Sequence, residues 1–493
     1  MKKVLANQVQ EFTTNQTNYT TLQLNYIPPK HHNTPIQLNN IPSKPNNIPN
    51  QLNNTPIQPN NIPAELNNTP QHHTQKSSPH IPHILLPTNQ KGGTTMSLTI
   101  NPRVQQIEPS GIRKISNQLI NYPDAINLTI GQPDFPTPER IKQAAHKAID
   151  DNKTTYSHNA GLLELRQAVS TFFTDKYSFT YNPQTEIIIT TGASQAMDTV
   201  FRTILEQGDE VIVPAPIYTG YEPLITLAGA TPIYLDTTTT SFIPDPAQLA
   251  KLITPKTKAI VFNYPSNPTG VTIPHKTMDE LAATLTNHDI FIISDEIYSE
   301  NTYQGEHRSF AEYPELKDKL FLIHGLSKSH SMTGWRIGFL LAAEKWMQQA
   351  GKVHAYNTIC AGVPSQHAAI CALTECQDTP AAMNPDYILR RDYIYTRLSN
   401  MGLPTVKPGG AFYIFPSIKE FNLTSEQFAH TLLDEARIAV VPGTAFTAYG
   451  EGHIRISYAY AFDQLEIAMD RLETWITNWR NKERHIVPNP PLL

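Results

Sequence analysis

Six strand-length apolar runs between residues 186 and 342, separated by helical or polar stretches, constrain this chain more than any other feature of its sequence. They are Glu186–Thr190, Glu210–Val213, Lys258–Asn263, Ile290–Ser294, Leu320–His324 and Ile337–Ala342. Each is apolar almost without alternation, the pattern of strands buried on both faces, and Ser194–Leu205 between the first two reads as a helix. Together they predict an α/β fold. In an open α/β sheet ligands bind outside the carboxyl ends of the strands, so the loops that follow these runs are where chemistry is expected.

The first ninety-five residues are of another kind. They are dominated by Asn, Gln, Thr, Pro and His, and Asn-Asn-(Ile/Thr)-Pro recurs at Asn39, Asn46, Asn53, Asn60 and Asn67. Too few branched or aromatic residues are present to offset the entropy of ordering, and a proline in every repeat rules out a heptad coiled coil, so residues 1–95 are expected to be disordered. Their six histidines, His31, His32, His72, His73, His80 and His83, have no carboxylate or cysteine beside them at ligand spacing, and no metal site is assigned. Composition changes at Met96, shortly after Lys91-Gly92-Gly93, which marks a domain boundary and makes Met96 the expected true start.

Lys plus Arg number 38 against 43 Asp plus Glu, a net charge of -5 that offers no electrostatic case for nucleic acid or an anionic membrane. Cys360, Cys371 and Cys376 form no CxxC pair, and no apolar run is long enough for a signal peptide or a bilayer span. A cytoplasmic protein acting on small molecules is expected.

Four motifs fall on the predicted loops. Gly325-Leu326-Ser327-Lys328-Ser329-His330-Ser331-Met332-Thr333-Gly334-Trp335-Arg336 follows the Leu320–His324 run. A lysine after a strand means little alone. An amine that must condense with an aldehyde, however, needs burial and nearby cations to lower its pKa, and Ser327 with Arg336 supplies donors suited to a phosphate monoester. Ser294-Asp295-Glu296-Ile297-Tyr298 delivers a carboxylate from a hydrophobic strand to the floor of a cleft, where it calls for a cation, although a helix cap is the plainer reading of that stretch alone. Asn267 lies in Ser266-Asn267-Pro268-Thr269-Gly270, by itself a plausible β-turn. Thr191-Gly192-Ala193-Ser194 stands between strand and helix, where backbone N–H groups and the helix dipole favour an anion.

In order and spacing, these motifs resemble those of the class I aminotransferases, over about Pro102 to Arg480. The resemblance implies a fold type I pyridoxal-phosphate (PLP) enzyme with a large, mainly parallel-sheet α/β/α domain at 140–384. A smaller α/β domain would be built from 96–139 and 385–483, with a loose tail at 484–493. It implies that Lys328 carries the cofactor and moves the proton, that Asp295 faces the ring nitrogen, and that Asn267 and Tyr298 hold the ring's phenolate oxygen. By the same resemblance Tyr218 stacks on the ring, while Ala193, Ser194, Ser327 and Arg336 hold the phosphate. Tyr156 would reach the phosphate site of a second subunit, which implies a homodimer with shared active sites. Gly131, Asn267 and Arg455 would hold the substrate, Arg455 by its α-carboxylate.

The blocks Ser110–Lys114, Ser327–Gly338 and Val441–Phe446 look most like the N-acetyl-LL-diaminopimelate aminotransferases of lysine biosynthesis in Gram-positive bacteria. A general aspartate, aromatic or alanine aminotransferase is the alternative, and a C–S β-lyase of the same fold is an alternative of another class. A transcription regulator would need a helix-turn-helix upstream, which the proline-rich segment cannot form. Arg113, Lys114 and Arg308 are the candidates for a distal carboxylate of the substrate.

Overall fold

The protein is described by a computed structural model over residues 98–486. The tract expected to be disordered, Met96, and residues 487–493 lie outside the described residues. The last helix, Phe462–Ile486, runs past residue 484, where the loose tail was expected to begin.

Seven strands form the main sheet: β1 Ile187–Thr190, β2 Glu210–Ala215, β3 Thr231–Asp236, β4 Thr257–Asn263, β5 Phe291–Asp295, β6 Leu320–Gly325 and β7 Gly338–Ala342. Their spatial order is β1-β7-β6-β5-β4-β2-β3. All neighbours run parallel except β7, which is antiparallel to both β1 and β6. Six of the seven are the apolar runs of the sequence. The seventh, β3, is an edge strand with mostly half-exposed residues and Pro232, so it gives no continuous apolar signal.

Alternate residues of the central strands enter different apolar layers. Ile293 packs with Val213, Val261 and the helix Ala193–Ile204, whereas Ile292 packs with Ile212, Ile260 and the helix His275–Thr286. Leu320, Phe321, Leu322 and Ile323 of β6 are each fully buried. At about 1.5–3 kcal/mol per buried side chain, this central strand holds the register against slippage, since a one-residue shift would exchange the layers.

Away from the main sheet, Ile126–Asn127 pairs in parallel with Ile438–Ala439, and Ile454–Ser457 lies antiparallel between Val441–Pro442 and Tyr413–Ile414. Ile115, Ile126 and Leu128 share one apolar cluster with residues from Met383 to Ile476, so both ends of the described chain build it. No helix among the described residues is long and apolar enough to cross a membrane.

Thr447 has φ 84° and ψ 166°, a conformation that essentially only glycine adopts at ease, and its hydroxyl is buried without a partner. Such a residue costs about 1–3 kcal/mol, against about 0.5–1 kcal/mol for the greater freedom of glycine in the unfolded chain. Thr447→Gly is therefore expected to raise the thermal unfolding midpoint by roughly 2 °C. A lowered midpoint in calorimetry would show that the threonine is not strained.

Candidate active site

The parallel strands β2, β4, β5 and β6 end at one edge of the sheet, and β1 ends there too because it and β6 both run antiparallel to β7, which lies between them. β7 runs the other way, so the segment just before it, which carries Arg336, arrives at the same edge. Loops from both ends of the chain close over this edge around a cavity of about 830 Å³ lined by Lys328, Asp295, Asn267, Tyr218, Arg336 and Arg455, among others.

Lys328 is half-buried, and its Nζ donates to the Gly131 carbonyl at 2.7 Å. Its pKa falls from 10.5 to about 8, first through desolvation, then through the Arg455 and Arg336 charges, with Asp295 opposing. Gly131 is required here: a Cβ on it would stand 2.0 Å from the Tyr413 hydroxyl.

Asp295, the last residue of β5, moves the opposite way. Burial raises its pKa from 3.8 to about 6; Tyr221 and the Ile297 N–H pull it down, and Glu296 adds to the rise. Tyr221 Oη donates to Oδ2 at 2.5 Å and Ile297 N–H to Oδ1 at 3.2 Å. Asp295 forms no ion pair with any described residue; Lys328 acts on it only through its field. Asn263 Nδ2 donates to the Asp295 carbonyl, and Asn263 Oδ1 accepts from the Asn267 N–H, so the end of β4 ties the asparagine loop to the aspartate.

Arg455 is 1% exposed. Nη1 donates to Asn267 Oδ1 at 2.9 Å, Nη2 donates to the Thr129 carbonyl, and Nε has no partner. No described carboxylate pairs with it. Its guanidinium lies 4.5 Å from the ring centre of Tyr413 and 4.9 Å from that of Phe446. A buried charge without a counter-ion is costly, so this guanidinium is built to receive an anion.

At the end of β1, Gly192 caps the helix Ala193–Ile204 with φ 80°, and a Cβ there would collide with Arg336 Nη2. The Ala193 and Ser194 N–H groups have no acceptor among the described hydrogen bonds, and the first turn carries no acidic residue. Two unengaged N–H groups, two hydroxyls and a guanidinium at a helix N-terminus fit a phosphate monoester. Tyr218 lies at the cavity wall, edge-on to Tyr221 at 5.4 Å. The donor set therefore fits the expected cofactor: an amine for its aldehyde, a carboxylate for its ring nitrogen and a cradle for its phosphate.

Of the residues singled out in the sequence, Gly131, Ala193, Ser194, Tyr218, Asn267, Asp295, Tyr298, Ser327, Lys328, Arg336 and Arg455 all line this cavity. Tyr156 does not: its side chain is 79% exposed. Among the three distal-carboxylate candidates only Arg113 lines it. Lys114 lies 3.8 Å from Glu108, and Arg308 is held by Asp279 and Glu312 at a different cavity, which corrects the expectation for these two. Three contributors were not read from the sequence: Asn263, Tyr221 on Asp295, and Tyr413, whose hydroxyl is 2.7 Å from that of Tyr298.

Residues 123–472 match the family model of aminotransferase class I and II. A probable N-acetyl-LL-diaminopimelate aminotransferase of Bacillus subtilis is 52% identical over 385 residues, 78% of this chain and 98% of the relative. An aspartate aminotransferase of Pyrococcus abyssi is 40% identical over 76% of this chain and 98% of its own length. Among solved structures, an aspartate aminotransferase from Thermus thermophilus with maleate superposes with a TM-score of 0.73 at 35% identity, covering 77% of this chain and all of that one.

The lowered pKa of Lys328 sets a rate. Only the free amine attacks an aldehyde, so recombination of the cofactor-free protein with pyridoxal phosphate is expected to quicken as pH rises and level off above about 8. Stopped-flow absorbance checks this, and a rate still climbing tenfold per pH unit above 9 would mean an ordinary lysine.

Proposed function

The chain belongs to the class I and II aminotransferases, PLP-dependent enzymes, and on that premise we propose that it is an N-acetyl-LL-diaminopimelate aminotransferase of lysine biosynthesis. The observation that carries the reading is the pair of arginines at one cavity: buried Arg455, with no carboxylate partner among the described residues, and Arg113 at the rim, with no ion pair there either. Two cations without described counter-ions at the cavity that holds Lys328 suit a substrate with a carboxylate at each end. The 52% identity to the Bacillus subtilis relative supports the choice of acid.

Bound at this site, the cofactor supplies an aldehyde that condenses with amines and a ring that draws electrons from the carbon beside the substrate nitrogen. The protein supplies position and proton. In this reading Arg455 holds the α-carboxylate and so fixes which face of the α-carbon meets Lys328. Lys328 Nζ, with a pKa near neutrality, takes the α-proton and returns it, as a general base should at cellular pH. With the cofactor bound, Asp295 would hold a proton on the ring nitrogen, Tyr298 and Asn267 would hold the phenolate oxygen, and Tyr218 would pack against the ring. Ala193, Ser194, Ser327 and Arg336 grip the phosphate.

The exposed ring of Tyr156 and the exposed side chain of Arg336 support a homodimer in which Tyr156 completes the partner's phosphate site. The reading places the enzyme in the cytoplasm, with a small domain of residues 96–139 and 385–483 on a large domain of 140–384.

A half-reaction screen at the cofactor's absorbance bands tests it. N-acetyl-LL-diaminopimelate and glutamate are expected to convert the enzyme; faster conversion by aspartate or tyrosine would make it the general aminotransferase that its 40% relatives exemplify, and ammonia with pyruvate from cystathionine would make it a lyase. Arg113→Ala should raise KM for N-acetyl-LL-diaminopimelate about tenfold with kcat little changed, while Arg455→Ala should cost more than about 100-fold in kcat/KM for every amino acid.

A further inference from the structure

Side chains alternate along β5, so the residues flanking Asp295 face away from the cofactor cavity. Ser294 and Glu296 open instead on a second cavity of about 450 Å³ behind the strand. The Glu296 side chain is only 3% exposed and is bonded on both oxygens. Ser294 Oγ and Ser309 Oγ donate to Oε1 at 2.7 and 2.9 Å, and His307 Nε2 lies 2.9 Å from Oε2. Ser309 Oγ accepts from the Ala311 N–H, so its own proton goes to the glutamate. Two hydroxyl donors on one oxygen and an imidazole nitrogen on the other suit a carboxylate anion.

The chemistry of the cofactor site makes no direct use of this anion, yet it sits one residue from the group that faces the ring. Its neighbours leave the charge largely uncompensated. The Arg308 cation is taken up by Asp279 and Glu312, and Lys176 by Glu300. His324 comes from β6 and is pushed to about 4 by burial, Tyr177 from the helix Leu163–Tyr177 has a raised pKa, and Asp295 is itself an acid. His307 is thus the one group bonded to Glu296 that can carry a positive charge.

We propose that Glu296, braced by His307, is a positioning residue for Asp295: its negative charge on the far face of β5 strengthens Asp295 as the acceptor for the proton on the cofactor's ring nitrogen. Glu296 raises the proton affinity of Asp295, in the direction the proposal needs. Were Glu296 merely a structural tie between Ser294, Ser309 and His307, its charge would be dispensable. The inference rests on Asp295 as the ring-nitrogen partner.

The test is made on the holoenzyme carrying cofactor labelled with ¹⁵N in the ring, following the ring-nitrogen resonance against pH, with cofactor dissociation measured by equilibrium dialysis. Glu296→Gln is expected to bring ring deprotonation about one pH unit lower and to loosen the cofactor about tenfold. Glu296→Asp should recover most of both. His307→Gln, which keeps a donor and leaves the charge in place, should not bring deprotonation lower. Should Glu296→Gln fail to fold, Glu296→Gln/His307→Gln replaces the pair by two amides that can bond each other and carries the same expectation. A ring-nitrogen titration unmoved by loss of Glu296, or lowered as much by His307→Gln, overturns the proposal. If Asp295→Asn also leaves the resonance unmoved, the role of Asp295 fails instead.

Discussion

Burial of three charges in one cavity is the constraint on which the rest of the structure depends. Asp295 and Arg455 are buried and Lys328 half-buried, and desolvation is the largest influence on each: it lowers the lysine to about 8, raises the aspartate to about 6 and lowers the arginine from its ordinary value. No two of them form an ion pair with each other. Left alone, such charges cost several kcal/mol each, and the fold keeps them apart by different partners: a carbonyl for Lys328, a phenol and an N–H for Asp295, an amide oxygen and a carbonyl for Arg455. Dipoles in place of counter-ions leave the charges available to ligand groups.

That arrangement is affordable only because the scaffold is rigid. β6 is buried end to end, and its register with β5 and β7 sets where Lys328 emerges relative to Asp295 and Arg336. Two glycines allow the approach of the loops: Gly192 admits the Arg336 guanidinium to the helix N-terminus, and Gly131 admits Tyr413 beside the lysine's carbonyl acceptor. Arg455 arrives on Ile454–Ser457, a strand outside the main sheet, and bonds both Asn267, from the loop after β4, and Thr129. Its guanidinium therefore joins the two ends of the described chain to the main-sheet edge.

Much of this was legible in the sequence, for identifiable reasons. Strands buried on both faces print as apolar runs, and six of seven strands were found that way, each within a few residues of its ends; β3 was missed because an edge strand half in solvent prints no run. The lysine, aspartate and asparagine motifs were found because each presents a fixed residue type at or just after the end of a strand, and Arg455, which lies within a short strand, was found by the family resemblance. Tyr221 and Tyr413 were not, because in sequence they are aromatic residues among others: Tyr221 opens the helix Tyr221–Ala228, and Tyr413 sits within Phe412–Phe415, which reads as a buried strand. Only the folded chain brings their hydroxyls to Asp295 and Tyr298. Nor does sequence separate Arg113 from Lys114 and Arg308, since what distinguishes them is which cavity the fold brings each to: Arg113 lines the one with Lys328, Lys114 does not, and Arg308 lines another beside Asp279.

Selection among those cations follows from geometry as much as from charge. Gly111 begins the helix Gly111–Gln118 with its Cα so near Ala445 that a Cβ would lie 2.7 Å from the alanine's, and Ile112 packs against the cluster of Phe242, Phe415 and Phe446. Phe446 in turn covers the face of Arg455. The helix that carries Arg113 is therefore seated on the same apolar cluster that covers Arg455, which places the start of that helix relative to the buried guanidinium. On the proposed reading, an acid long enough to reach both arginines would engage both, whereas a shorter one would pair with Arg455 and leave Arg113 to water, so chain length would be read by the reach between the two cations.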